Sequence, residues 1–183
     1  MGTDARTHPH NFGGEASMQW RAVRETSCSV ARALSVVGER WTMLILREAF
    51  FGRRRFDEFQ AGTGIARNIL SARLHALVLN GIFDRIEDVG DDRHIEYRLT
   101  KKGIDLYPVL LALMRWGDAW MADPQGPPVT LVHRECGHKT TPALTCSHCG
   151  GAIEPRAMQA SASPHAGKLS RRESHAGRVR DRN

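Results

Sequence analysis

Apolar residues recur at helical spacing along most of the first two thirds of the chain. Between Cys28 and Val37, the positions Val30, Ala33, Leu34 and Val37 line one helix face, and Gly38 is a natural stop. A second helix follows, traced by Trp41, Leu44, Ile45, Glu48 and Ala49, with Gly52 ending it before Arg53, Arg54 and Arg55. Phe56 and Phe59 mark one or two short helical turns, which Gly62-Thr63-Gly64 should interrupt. From about Ile65 to Asn80, the residues Ile65, Ile69, Leu70, Leu74 and Leu77 form an apolar stripe. The same helix leaves Arg67, Asn68, Ser71, Ala72 and His75 on the other side.

The period then changes from helical to alternating. Ile95, Tyr97 and Leu99 alternate with His94, Glu96 and Arg98, so segments 82–88 and 93–99 predict a hairpin around Val89-Gly90-Asp91-Asp92. Thr100 can cap a final helix from Lys101 to about Ala122. Its residues Ile104, Leu106, Leu110, Leu111, Leu113, Met114 and Trp120 supply more apolar surface than one side of a small domain needs, and the excess points to a subunit interface.

These elements divide the chain. Residues 1–16 read as a disordered arm and residues 17–122 as one domain. Residues 123–128, rich in proline, read as a stiff linker to a small module over 129–156, and 157–183 as a flexible basic tail. The predicted fold class is mainly α with a small β-hairpin, a winged helix-turn-helix followed by a small zinc-ribbon-like module. In a winged helix the second helix of the helix-turn-helix fits the major groove, and the hairpin lies along the neighbouring backbone or minor groove.

Charge refines this picture more than it decides it. The formal net charge is +6, but the 157–183 tail carries six basic against two acidic residues, and the 17–122 body is only three charges positive. A DNA surface must therefore come from the placement of its arginines. Arg67 and Asn68 are the candidates for reading base edges, since arginine fits guanine and asparagine fits adenine, with Ser71 and His75 in support. Arg53, Arg54, Arg55 and the wing residue Arg93 are placed to meet phosphates. The alternative reading is a protein-interaction module with no operator, because winged helices serve that purpose as well. No phosphate-binding glycine loop, nucleophile elbow or paired-carboxylate motif suggests an enzyme, and no organic cofactor is expected. The longest strictly apolar run, Val109 to Met114, is too short to span a bilayer, so a cytoplasmic protein with no membrane partner is expected.

Late in the chain, His133-Arg-Glu-Cys136-Gly137 and Cys146-Ser-His-Cys149-Gly150 repeat a ligand-x2-Cys-Gly pattern. Zinc takes four tetrahedral Cys or His ligands, and a glycine after the second ligand allows the tight turn that a metal knuckle needs. His133, Cys136, Cys146 and Cys149 complete such a set for a structural Zn2+, with His138 and His148 as competing ligands. The bland alternative is a reduced, loosely ordered extension. Cys28, alone near a helix start, is a redox-sensing candidate, because the helix dipole favours thiolate there; the alternative is a small residue packing a dimer.

Five blocks in register carry a family resemblance. They are Cys28-Ser-Val-Ala-Arg-Ala-Leu, Gly38-Glu-Arg-Trp-Thr-Met-Leu-Ile-Leu-Arg-Glu, Arg54-Arg-Phe, Gly64-Ile-Ala-Arg-Asn-Ile-Leu-Ser-Ala-Arg-Leu and Glu96-Tyr-Arg-Leu-Thr-Lys-Lys-Gly. From Cys28 to Trp120 the chain resembles the HxlR family of bacterial transcription regulators. The resemblance implies a homodimer on a two-fold related operator in double-stranded DNA, terminal helices at the interface, and no enzymatic activity. It also implies that a cysteine at the place of Cys28 can sense oxidants or electrophiles. Two positions depart from the family pattern: Ser29 stands where proline is common, and Ala66 where a Ser or Thr usually opens the reading helix. Capping there falls to Thr63 or to the glycine backbone.

Overall fold

The computed structural model describes residues 27–88 and 91–161, with the backbone alone at 88 and 91–94. Four helices, α1 (Ser29–Val37), α2 (Thr42–Phe50), α3 (Phe56–Thr63) and α4 (Arg67–Leu79), lead into an antiparallel hairpin of β1 (Phe83–Asp88) and β2 (Asp91–Leu99). Helices α5 (Lys101–Ile104) and α6 (Tyr107–Trp120) follow. A two-stranded ribbon of β3 (Leu131–Val132) and β4 (Lys139–Thr140) and a 3-10 turn at Pro155–Ala157 come last. Among the described residues, no helix is long and apolar enough to cross a membrane. The expected arm over 1–16 lies outside the described residues, as does the tail beyond Ser161.

One core serves α2, α3, α4 and the base of the hairpin. It is built from Ile45 and Leu46 of α2, Phe59 of α3, Ile65 of the turn, Leu70, Leu74 and Leu77 of α4, and Ile82 and Phe83 at the start of the hairpin. Three rings tie the reading unit to the wing. Phe59 meets Phe83 at 5.9 Å and Tyr97 at 6.4 Å, and Phe83 meets Tyr97 at 6.4 Å, all edge to face. Such pairs contribute roughly 0.5–1.5 kcal/mol each beyond the area they bury. Phe83 pairs with Leu99 and Arg85 with Tyr97, and Tyr97 and Leu99, two residues apart on β2, both pack against the core, as the period of two requires.

The structure corrects the predicted elements at four places. Helix α3 runs through Gly62 and Thr63 instead of breaking there, and the turn is confined to residues 64–66. The hairpin loop is shorter, because Asp91 and Asp92 belong to β2. In α4, Ile69 is only half-buried, while the rest of the predicted stripe is buried. The single helix expected from Lys101 is two helices, broken at Asp105 and Leu106. Pro108 explains the break: with no N–H it cannot donate to the Ile104 carbonyl, and it sits instead in the first turn of α6, where a missing donor costs nothing.

The wing is clamped to α4 through Thr100. Its side chain accepts from the Gly103 N–H at 3.1 Å and donates to the Gly81 carbonyl at 2.7 Å, while its N–H donates to the Ile82 carbonyl at 3.0 Å. Lys102 Nζ donates to the Asn80 carbonyl at 2.7 Å, placing a cation at the negative end of α4. Gly103 is buried there so closely that a Cβ would stand 2.3 Å from the Ile82 carbonyl oxygen, which is backbone and cannot yield. Gly103→Ala is accordingly expected to lower stability by about 1–3 kcal/mol. Thermal unfolding should show a drop of several degrees, and an unchanged midpoint would mean that α5 does not seat against the wing in this way.

Candidate nucleic-acid interface

Helices α3 and α4 are joined by Gly64, Ile65 and Ala66. Gly64 adopts the left-handed conformation at φ 68°, and its N–H closes α3 on the Gln60 carbonyl at 2.8 Å. Ile65 drops into the core and anchors the turn. The Thr63 hydroxyl donates to the Phe59 carbonyl at 2.6 Å and accepts from the Ile65 N–H at 3.4 Å, so it serves the turn and not the first turn of α4. Ala66 provides no side-chain cap. The leading amides of α4 are thus left to be satisfied from outside, an arrangement that suits a phosphate oxygen.

Arg67, Asn68, Ser71, Ala72 and His75 all stand exposed along α4, opposite the buried Leu70, Leu74 and Leu77. The burial that holds the helix also aims this row outward. Arg67 differs from its neighbours because α3 already engages it. Its guanidinium bonds Asp57 at 3.1 Å and Gln60 at 2.9 Å, and lies over the Phe56 ring at 4.8 Å. Both partners of the ion pair are largely exposed, at 67% and 82%, and such pairs are worth about 0–1 kcal/mol. A base or phosphate can therefore outcompete Asp57 at little cost. Asn68, Ser71 and His75 need no such exchange. Arg73, at the edge of the stripe, lies 3.9 Å from the Glu39 carboxylate.

Residues 53–55 are more than a basic run. The Tyr97 N–H donates to the Arg54 carbonyl at 2.7 Å, and Arg55 forms a single antiparallel bridge with Glu96, so this segment is tied to β2 of the wing. Sequence reasoning missed this placement, since three arginines carry no strand period. Glu58 accepts from the Arg54 N–H at 2.8 Å and the Arg55 N–H at 2.9 Å. Those two backbone bonds hold its carboxyl below the usual value, with nearby Arg53 and Arg55 adding to the effect. Arg53 leans towards the buried Glu48 at 3.8 Å, which Arg47 also binds at 2.7 Å. Arg54 and Arg55 are both exposed, with no ion pair closer than 4.0 Å among the described residues. Arg93 belongs to β2, but its side chain is outside the described residues.

The remaining predicted residues belong to other elements. Cys28 caps α1, its exposed sulfur accepting from the Ala31 N–H at 3.5 Å. His133 Nδ1 stands 3.4 Å from Cys136 Sγ. The Cys146 thiol is shifted down by the backbone N–H groups of Cys149 and His148 and by the Cys149 side chain, so these two cysteines form a second close pair. The two pairs do not merge: among the described residues, no three His, Cys, Asp or Glu side chains come together as metal ligands.

Residues 36–125 match the HxlR-like helix-turn-helix family. The uncharacterised HTH-type transcriptional regulator Rv3095 of Mycobacterium tuberculosis is 52% identical over 128 residues, which cover 70% of this chain and 81% of the relative. The chain belongs to the HxlR-like helix-turn-helix family. The HTH-type transcriptional regulator YvaP of Bacillus subtilis is 34% identical over 91 residues, covering 49% of this chain and 84% of its own. Among solved structures, PA1607, a candidate transcription factor, superposes with a TM-score of 0.70 at 38% identity, over 78% of this chain and 99% of the other. PA1374 of Pseudomonas aeruginosa gives a TM-score of 0.54 at 36% identity, over 79% and 99%. The HxlR-like unit is a DNA-binding transcription regulator.

On this geometry, Asn68→Ala is expected to lose about 1–3 kcal/mol of discrimination between related duplexes. Arg54→Ala should instead weaken all duplexes alike and flatten the salt dependence by about 0.9 in log–log slope for each phosphate left without its cation. Fluorescence anisotropy at several salt concentrations separates the two. Unaltered sequence preference in Asn68→Ala would remove it from the reading surface.

Proposed function

We propose that this regulator binds a two-fold related operator as a homodimer, each protomer laying α4 in a major groove with the wing beside it. The observation that carries this reading is the exposed row Asn68, Ser71 and His75 on a helix whose start has no side-chain cap, with exposed arginines also at residues 53–55. Arg67 joins the row once it leaves Asp57. The reading places the protein in the cytoplasm, with no catalytic role.

A second subunit is supported by apolar surface that one chain leaves uncovered. Helix α6 contains no buried residue, and Val109, Leu113, Trp116 and Trp120 recur along it at helical spacing with exposures of 48%, 51%, 57% and 78%. Helix α1 adds Val30 and Leu34. Surface of this kind marks an interface. The exposed Cys28 sulfur at the start of α1 lies on the same helix, which couples a change at that thiol to pairing of the subunits.

A gel shift with duplex fragments and a salt titration tests operator binding, and the absence of a salt-sensitive shift with any fragment would favour a protein-docking role instead. Leu113→Glu combined with Trp116→Glu is expected to give a folded monomer in sedimentation analysis. Its operator affinity should fall on the order of 100-fold or more, since two linked half-sites gain roughly 100- to 10,000-fold over one. A variant that stays dimeric would place the interface elsewhere. Cys28→Ser should keep reduced-state DNA binding and lose any response to mild oxidant or electrophile; a response retained by the variant would clear this cysteine.

A further inference from the structure

The segment after α6 folds without a core. From Met121 to Ser161 no residue is buried, and Val132, Leu144 and Ile153 are 54%, 60% and 41% exposed. Yet its backbone is regular, and the regularity is a repeat. In the first half the Gly137 N–H bonds the His133 carbonyl at 2.8 Å, and the His133 N–H bonds the His138 carbonyl at 2.9 Å. In the second half the Gly150 N–H bonds the Cys146 carbonyl at 2.8 Å, and the Cys146 N–H bonds the Gly151 carbonyl at 2.8 Å. Val132 pairs with Lys139 around the first turn as Thr145 pairs with Ala152 around the second. Gly137 and Gly150 share a left-handed φ of 71° and 72°, a conformation that other residues rarely adopt. Two turns of identical build thus each present a pair of soft ligands at the same positions.

We infer that these two turns are the halves of one structural zinc site, with His133 and Cys136 from the first and Cys146 and Cys149 from the second as its four ligands. The first pair already has the right spacing. Zinc bonds of about 2.0–2.1 Å to nitrogen and 2.3 Å to sulfur imply a tetrahedral edge of roughly 3.6 Å, against 3.4 Å between His133 Nδ1 and Cys136 Sγ. In the second pair, Cys146 and Cys149 occupy the same two positions of the same backbone turn, closed by the Gly150 N–H on the Cys146 carbonyl at 2.8 Å. An ion taking two ligands from each turn would join the two halves. A disulfide between Cys146 and Cys149 would leave the identical build of the His133–Cys136 turn without a purpose. One imidazole with three thiolates in a tetrahedron selects zinc over harder cations. Binding would contribute the folding energy that burial does not supply here.

The test uses the full chain, purified without chelator, and is independent of the operator reading. Elemental analysis is expected to find about one zinc per chain, falling to near zero in Cys136→Ser and in Cys149→Ser and unchanged in Cys28→Ser. Cobalt substitution should give the absorption of a tetrahedral thiolate site. His133→Ala should weaken the metal enough for a chelator to remove it, whereas His138→Ala and His148→Ala should not. Metal-free protein with three freely titratable late cysteines would overturn the site. So would zinc that survives in both His133→Ala and Cys136→Ser, because the ion would then rest on the second turn alone.

Discussion

The structure depends on the burial of one stripe of α4. Leu70, Leu74 and Leu77 are sealed against Ile45 and Leu46 of α2, Phe59 of α3 and Phe83 of the wing, all at 2% exposure or less. Truncating a leucine in such a setting costs about 2–5 kcal/mol, a large share of the stability of a domain this size. Because the helical period is fixed, sealing that stripe also fixes where Asn68, Ser71 and His75 face. The polar row needs no polar scaffolding of its own; its aim is a by-product of hydrophobic packing.

Around that core, close backbone approaches set the angles between elements. Gly103 lets α5 approach the Ile82 carbonyl just before β1, and Gly62 leaves room for the buried Glu48 carboxylate, which a Cβ there would strike at 2.1 Å. Glu48 is paired with Arg47, and Arg47 also reaches the Gly62 carbonyl at 3.1 Å, so α2 and α3 are locked by charge and shape together. The C-terminal module follows a different logic. It has ordered turns and no apolar interior, and it touches the body through bonds such as that of Arg115 with the Pro142 carbonyl at 3.3 Å. Loss of order in the module should therefore leave the winged helix intact.

Much of this is legible in the chain because periodicity reports burial directly. The α4 stripe except Ile69, the strand period of β2 and the cap at Thr100 follow from spacing and residue chemistry, and the structure contains each. What escapes depends on segments distant in sequence coming together. Nothing local in three consecutive arginines indicates that Arg54 pairs with Tyr97 across the wing, or that Arg67 folds back on Asp57 and Gln60. The break before α6 is legible in principle, since Pro108 cannot donate within a continuous helix; the strong apolar pattern on both sides hides it. The repeated Cys-Gly pattern marks two turns that the structure contains, while the joining of their ligands is a tertiary event that spacing does not determine.

The central claim is that packing aims one face of α4, with the arginine edge and the wing beside it, at duplex DNA. Amide hydrogen exchange with and without an operator duplex measures this most directly. The account predicts new protection at the leading amides of α4, in residues 53–55 and along the wing, with little change in α6 or in residues 129–156. Protection concentrated in α6 or in the C-terminal module, with α4 exchanging as in the free protein, would contradict it.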